Sequence, residues 1–267
     1  MKNILPYLVI TLGLALTIRA RAHDTWLLPD RFEVAPKTSL ALDLTSGMAF
    51  PALEVGPKRE RVEAAKCRLT GKTFDISDIS PGPKSLVFKT ELPEAGIATL
   101  WVKLPAKSIE LKPEQVEEYF AEIDPPQRVR TQWAAMEPKR WRELYTKHPK
   151  TFVRVGNTTG DRSWGEPVGM ALEIVPEKDP TLLRVGDELS VRIFKNGAPF
   201  PDFALNAVAS GQTKGETRKT DAAGRVVFRF DKAGQWLLRG TDVRKSTRTD
   251  ADWESDFATL TLEVKAK

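Results

Sequence analysis

The chain has 267 residues, a formal net charge of +5 and a single cysteine. Lys2, Arg19 and Arg21 precede a predicted secretion cut and leave without an acid, so the charge of the mature chain falls to +2. With no lysine/arginine stripe interleaved with aromatics, this excludes a nucleic-acid footprint. The lone Cys67 excludes an intramolecular disulfide and reads as a small buried apolar residue.

In chain order, Met1-Lys2-Asn3 leads into an uncharged apolar run from Ile4 to Ile18, and then Arg19-Ala20-Arg21-Ala22-His23. The run of about 15 residues fits a signal-peptide core and is short of the ~20 that span a bilayer. Ala20-Arg21-Ala22 has the small-x-small form of a cleavage site, which predicts a signal peptide over 1–22 and a cut between Ala22 and His23. The mature chain is then expected in the periplasm or secreted, and not embedded in a membrane. Its 245 residues suit two domains.

Thr25–Leu28 precedes Pro29, and Ser39–Thr45 alternates apolar and polar residues; both read as strands, as do Ser85–Phe88 and Ile97–Leu104. Pro113 opens a helical run through Ala121, with acids at its positive end, and Asp124-Pro125-Pro126 stops it. A second helix is expected over Glu137–Lys147, and Trp133 and Trp141 fit one helical face. Thr151–Val155 returns to period two. After Met170 the predicted strands are Ala171–Val175, Glu188–Phe194, Phe203–Ala209, Arg225–Phe230, Gln235–Arg239 and Ala258–Val264. Asn196-Gly197 and Asp221-Ala222-Ala223-Gly224 punctuate them. The expected fold is mostly β: two immunoglobulin-like β-sandwich domains, over 23–168 and 169–267, with a helical insertion at about 113–147 in the first.

Several segments carry a resemblance. His23-Asp24-Thr25-Trp26-Leu27 follows the signal peptide, and Tyr145 to Gly156 contains Tyr-Thr-Lys-His-Pro-Lys. Gly169 to Pro176 contains Leu-Glu-Ile-Val-Pro. Thr220 to Arg225, Gly234 to Leu238 and Asp252 to Leu260 complete the set. Together they resemble a family of exported bacterial proteins, a domain of unknown function with a NikM-like label, and the likeness covers nearly the whole mature chain. The resemblance implies a β-sandwich that binds or helps import nickel, cobalt or another transition metal, with a membrane metal transporter as partner. Members often carry a histidine after the tryptophan strand; here Arg239-Gly240-Thr241-Asp242 stands in that place.

The residues themselves offer matching chemistry. A new N-terminal His23 carries an α-amine titrating near ~8 and an imidazole near ~6.5, both able to release a proton to a metal. His148, the only other histidine, would complete a three-nitrogen site suited to Cu(II) above Ni(II) or Co(II). Pro149 predicts a helix end or loop there, with the ring partly exposed. Asp24 and Asp242 are candidate oxygen ligands. So are Asp252 and Glu254, which alternate with Asp250 and Asp256 along one side of a strand. The competing reading of that acidic run is a charged edge that blocks aggregation. No Gly-x-Ser-x-Gly, His-Glu-x-x-His or phosphate-loop motif is present. The expected function is a non-enzymatic, periplasmic transition-metal-binding protein for uptake or delivery. The alternatives are a metal-independent envelope scaffold or interaction module and a copper-dependent oxygenase with a flat aromatic surface.

Overall fold

The computed structural model describes residues 24–158 and 160–267. The predicted signal peptide, its cut at Ala22 and His23 itself lie outside the described residues. The order begins with β1 (Asp24–Pro29), β2 (Glu33–Val34), β3 (Ser39–Gly47), β4 (Ala64–Leu69), β5 (Lys72–Asp75) and β6 (Asp78–Pro81). β7 (Leu86–Glu91), β8 (Gly96–Lys103) and β9 (Lys107–Leu111) follow, then α1 (Pro113–Ile123) and α2 (Gln127–Ala134). Next come β10 (Trp141–Val155), β11 (Leu172–Pro176), β12 (Glu188–Lys195), β13 (Ala198–Pro199) and β14 (Ala204–Ala209). β15 (Glu216–Lys219), β16 (Arg225–Arg229), β17 (Gly234–Lys245) and β18 (Trp253–Val264) close the chain.

A long sheet of ten strands runs β15-β14-β17-β18-β10-β8-β4-β5, with β2 and β9 attached to β10. Residues on both sides of position 168 contribute to it, because β10 and β18 pair in parallel from Glu143↔Trp253 to Thr151↔Thr261. Two shorter sheets cover its opposite faces. β1-β3-β7-β6 packs on one, and β11-β12-β13, with β16 on β12, packs on the other. The pleat makes this division: in β10, Val153 enters a core with Leu42, Cys67 and Leu100, while its neighbour Phe152 enters one with Leu172, Val191 and Leu260. The fold is therefore mostly β with two sandwich cores and a short helical insertion, as the sequence predicts, and the two cores share one sheet.

α1 starts on Pro113, with the Lys112 backbone N–H donating to Gln115 Oε1 at 2.8 Å. Val116, Tyr119 and Phe120 form its buried stripe, and Asp124 ends it in the left-handed region at φ 43°. The second helix, however, is not over Glu137–Lys147. α2 covers Gln127–Ala134, burying Val129 and Trp133, and β10 begins at Trp141. Trp141 and Glu143 are buried while Arg142 and Leu144 are not, a period of two that the abundant charges conceal in the sequence. Trp133 and Trp141 meet across helix and strand, edge to face at 5.6 Å, rather than along one helix. β9 and β18 flank this half of β10, so tertiary pairing sets its conformation.

Candidate functional site

His148 lies in the middle of β10 and is 7% exposed. The expected partly exposed loop is absent because Pro149 fits a strand here. β9 pairs β10 only through Tyr145 and β8 only from Phe152, so the missing proline N–H falls in the gap between them. His148 Nε2 stands 2.8 Å from Asp256 Oδ1. An ionised carboxylate only accepts, so Nε2 carries the proton and is closed to a metal.

Asp256 anchors a charge network between β10, β12, β17 and β18. It is paired with Lys195 and lies 2.7 Å from Arg244 Nη1. Burial would raise its carboxyl, but the His148 hydrogen bond and the Lys195 charge outweigh burial and hold it well below the usual range. Asp242 faces Lys195 at 3.0 Å, Arg244 at 3.2 Å and Arg128 at 3.8 Å. Glu254 accepts from Arg244 Nη2 at 2.9 Å and Ser246 Oγ at 2.8 Å. Asp252 accepts from both Arg140 and Arg142, whose hydrogen bonds hold its carboxyl well below the usual range. The acidic run is thus matched acid for base. Its strand, β18, lies between β17 and β10, so the charged-edge reading fails as well. Among the described residues, no group of three or more His, Cys, Asp or Glu side chains is arranged to hold a metal.

Asp24 is elsewhere. The hydroxyls of Thr259 and Thr261 donate to Thr25 O and Leu27 O, so the odd positions of β18 face β1 while Asp256 faces the other way. Asp24 is ion-paired with Arg239, which sits opposite Thr259 in β17. The sheet therefore separates Asp24 from His148. Asp242 is on the His148 side, away from Asp24; within the Arg239–Asp242 segment it is Arg239 that meets Asp24.

Asp24 and Arg239 line a cleft of about 570 Å³ between the end of α1, the loop after β3 and the β14–β15 hairpin. Asn206 Oδ1 accepts from Arg239 Nε at 3.2 Å, and Phe257 forms part of the apolar wall. Gly240 is required there, since a Cβ would come within 2.6 Å of the Phe203 ring and 2.9 Å of Ala204 O. Beside the cleft wall, Lys147 Nζ donates to Thr25 Oγ1 at 2.8 Å and lies 5.8 Å from the Phe257 ring centre. Burial pushes its ammonium down to about 8. Sequence reasoning set out the Arg239–Asp242 segment but looked for a ligand at Asp242. Nothing in the Tyr-Thr-Lys segment of the sequence assigns a role to Lys147.

Neighbouring β10 residues hold two further buried charges. Glu143 accepts from Tyr119 Oη at 3.0 Å, from Trp141 Nε1 at 2.6 Å and from Ser255 Oγ. Burial raises its carboxyl above the ordinary range despite these bonds. Lys150 and Glu173, both 1% exposed, form a 2.7 Å ion pair.

Comparison with known families supplies a match over residues 20–241, most of the chain. The chain belongs to the family described as a domain of unknown function, DUF4198. No curated protein matches the sequence. Among solved structures, the D0-D1 domain of intimin is similar at 11% identity, covering 90% of this chain and 97% of that one, with a TM-score of 0.23. Murine CEACAM1b is 8% identical over 91% of this chain and 100% of its own, at 0.22. Activated Escherichia coli alpha-2-macroglobulin is 12% identical over 90% of this chain but 20% of its own, at 0.26. Scores this low carry no argument about this DUF4198 chain. Among its described residues, no helix is long and apolar enough to cross a membrane.

Proposed function

We propose that this DUF4198 protein is exported and binds a transition-metal ion through the α-amine and imidazole of His23, serving metal uptake or delivery in the envelope. The observation that carries the reading is the position of Asp24. The residue bonded to His23 lines the 570 Å³ cleft, held by Arg239 and by pairing of β1 with β3. His148 and the Asp24, Asp242, Asp252 and Glu254 carboxylates are not among the proposed ligands, because each is engaged in hydrogen bonds or ion pairs. The amine and imidazole then supply two nitrogens, and Cu(II) remains favoured over Ni(II) or Co(II) by the affinity order. A membrane metal transporter is the expected partner. Mass spectrometry of the exported protein should give a mature chain that begins at His23. A start at any other residue removes the chelate and the reading with it.

A second reading, a metal-independent envelope module, is favoured by the acid-for-base matching of the network round Asp256. The two readings differ in a thermal melt. A ligand at ~100 times its Kd adds about 2.7 kcal/mol, so Cu(II) or Ni(II) should raise the Tm only under the first. The copper-oxygenase reading calls for a flat aromatic surface. All seven tryptophans are buried, at 8% exposure or less, so none forms such a platform.

A further inference from the structure

The cleft has an imbalance of engaged and unengaged charge that metal binding does not use. Its carboxylates have partners: Asp24 is paired with Arg239, Asp124 with Arg130 at 3.0 Å, and Glu122 is also engaged. Its cations are less satisfied. Arg239 donates through Nη1 to Asp24 and through Nε to Asn206, while its Nη2 makes no hydrogen bond to a described residue. Lys214, exposed on the β14–β15 loop, lines the same cleft and makes no ion pair with a described residue. Met48, Ile123 and Phe257 supply apolar wall between these polar groups.

We propose that this cleft binds a small organic carboxylate, its anionic group received by Arg239 and Lys214 and its carbon skeleton set against Met48, Ile123 and Phe257. A guanidinium nitrogen that no described residue engages suits a planar carboxylate, because charge-assisted N–H···O bonds are about twice as strong as neutral ones. The cleft volume falls within the ~300–1,000 Å³ range of small-molecule sites, far larger than a bare ion needs. An inorganic anion would leave the apolar wall in contact with water, so the carbon skeleton is part of the recognition. The proposal stands independently of the metal reading.

Isothermal titration of the metal-free protein that begins at His23 with citrate, and in parallel with inorganic phosphate, tests it. Citrate should bind, and phosphate should bind at least tenfold more weakly. Lys214→Ala, on an exposed loop, should leave the melt unchanged and weaken citrate about tenfold, the loss of one charged hydrogen bond. Arg239→Lys, which keeps the charge beside Asp24 but loses the fork, should weaken citrate further. No citrate binding by the wild type, equal binding of phosphate, or an unchanged affinity in Lys214→Ala overturns the proposal. The Lys214 variant decides the matter even where the Arg239 variant misfolds.

Discussion

Lys150→Met is the most informative perturbation of the shared-sheet architecture. Lys150 projects from β10 to Glu173 of β11 on the His148 face, joining the long sheet to the sheet that covers it. Both groups are 1% exposed, so solvent does not screen the pair. Removing one member of a buried pair costs about 3–5 kcal/mol, because the other charge is left uncompensated. Glu173 keeps hydrogen bonds from the N–H groups of Val168 at 2.8 Å, Gly169 at 3.1 Å and Met170 at 3.3 Å, which places the loss at the lower end, about 3 kcal/mol. For a chain of this size that is a fall in Tm of roughly 6–12 °C. The pH dependence adds a second check. Burial would raise the Glu173 carboxyl, but Lys150 and the Val168 and Gly169 N–H groups outweigh it and hold it below its ordinary value, so its stability contribution is present above the unfolded pKa and lost as pH falls through the folded one. Without Lys150, burial dominates and protonation of Glu173 becomes favourable. Urea unfolding at pH 7 and pH 5 should therefore give a larger difference between wild type and Lys150→Met at pH 7. A variant within 1 kcal/mol of wild type at pH 7, or a difference that grows toward pH 5, refutes the reasoning.

Glu143→Gln should leave stability unchanged or raise it at pH 8, because the amide oxygen can accept from Trp141 and its NH₂ can donate to Tyr119 and Ser255. The wild-type Glu143 carboxyl is raised by burial, so it favours the fold below its unfolded pKa and loses that advantage as pH rises through the folded pKa. Melts of both proteins at pH 5 and pH 8 check this, and a variant less stable than wild type at pH 8 contradicts it. Gly240→Ala should lower stability by about 1–3 kcal/mol by forcing Phe203 and Ala204 apart from β17, measured by urea unfolding. An unchanged midpoint would show that the close approach is not tight.

Much of the fold is legible in the sequence where burial alternates cleanly. Ser39–Thr45, Glu188–Phe194 and the Asn196-Gly197 turn read correctly because apolar residues mark the inward face, and because Asn196 and Gly197 adopt positive φ as that pair predicts. The first half of β10 does not read as a strand. Its inward positions include Glu143, and its neighbours are Arg142, Lys147 and His148, so charge hides the period of two. At the ends of the long sheet, β15 is exposed throughout and has no apolar residue, and β5 has only the half-buried Phe74, too little for an alternating signal. The site was legible only in part. The resemblance drew attention to the segment after the tryptophan strand, but the Asp24–Arg239 contact joins residues 215 positions apart and has no local signature. The burial of His148 depended on which face of β10 it occupies, and that face is set by β18 and β12, far along the chain.

A Cu(II) titration of two proteins bears most directly on the proposed function: the chain beginning at His23, and the same chain with the His23 α-amine acetylated. Chelation by the free amine and imidazole predicts one tight Cu(II) site in the first, weakened at least a hundredfold in the second, where the α-amine has become an amide. Equal affinity in both, or no Cu(II) site in either, contradicts the account.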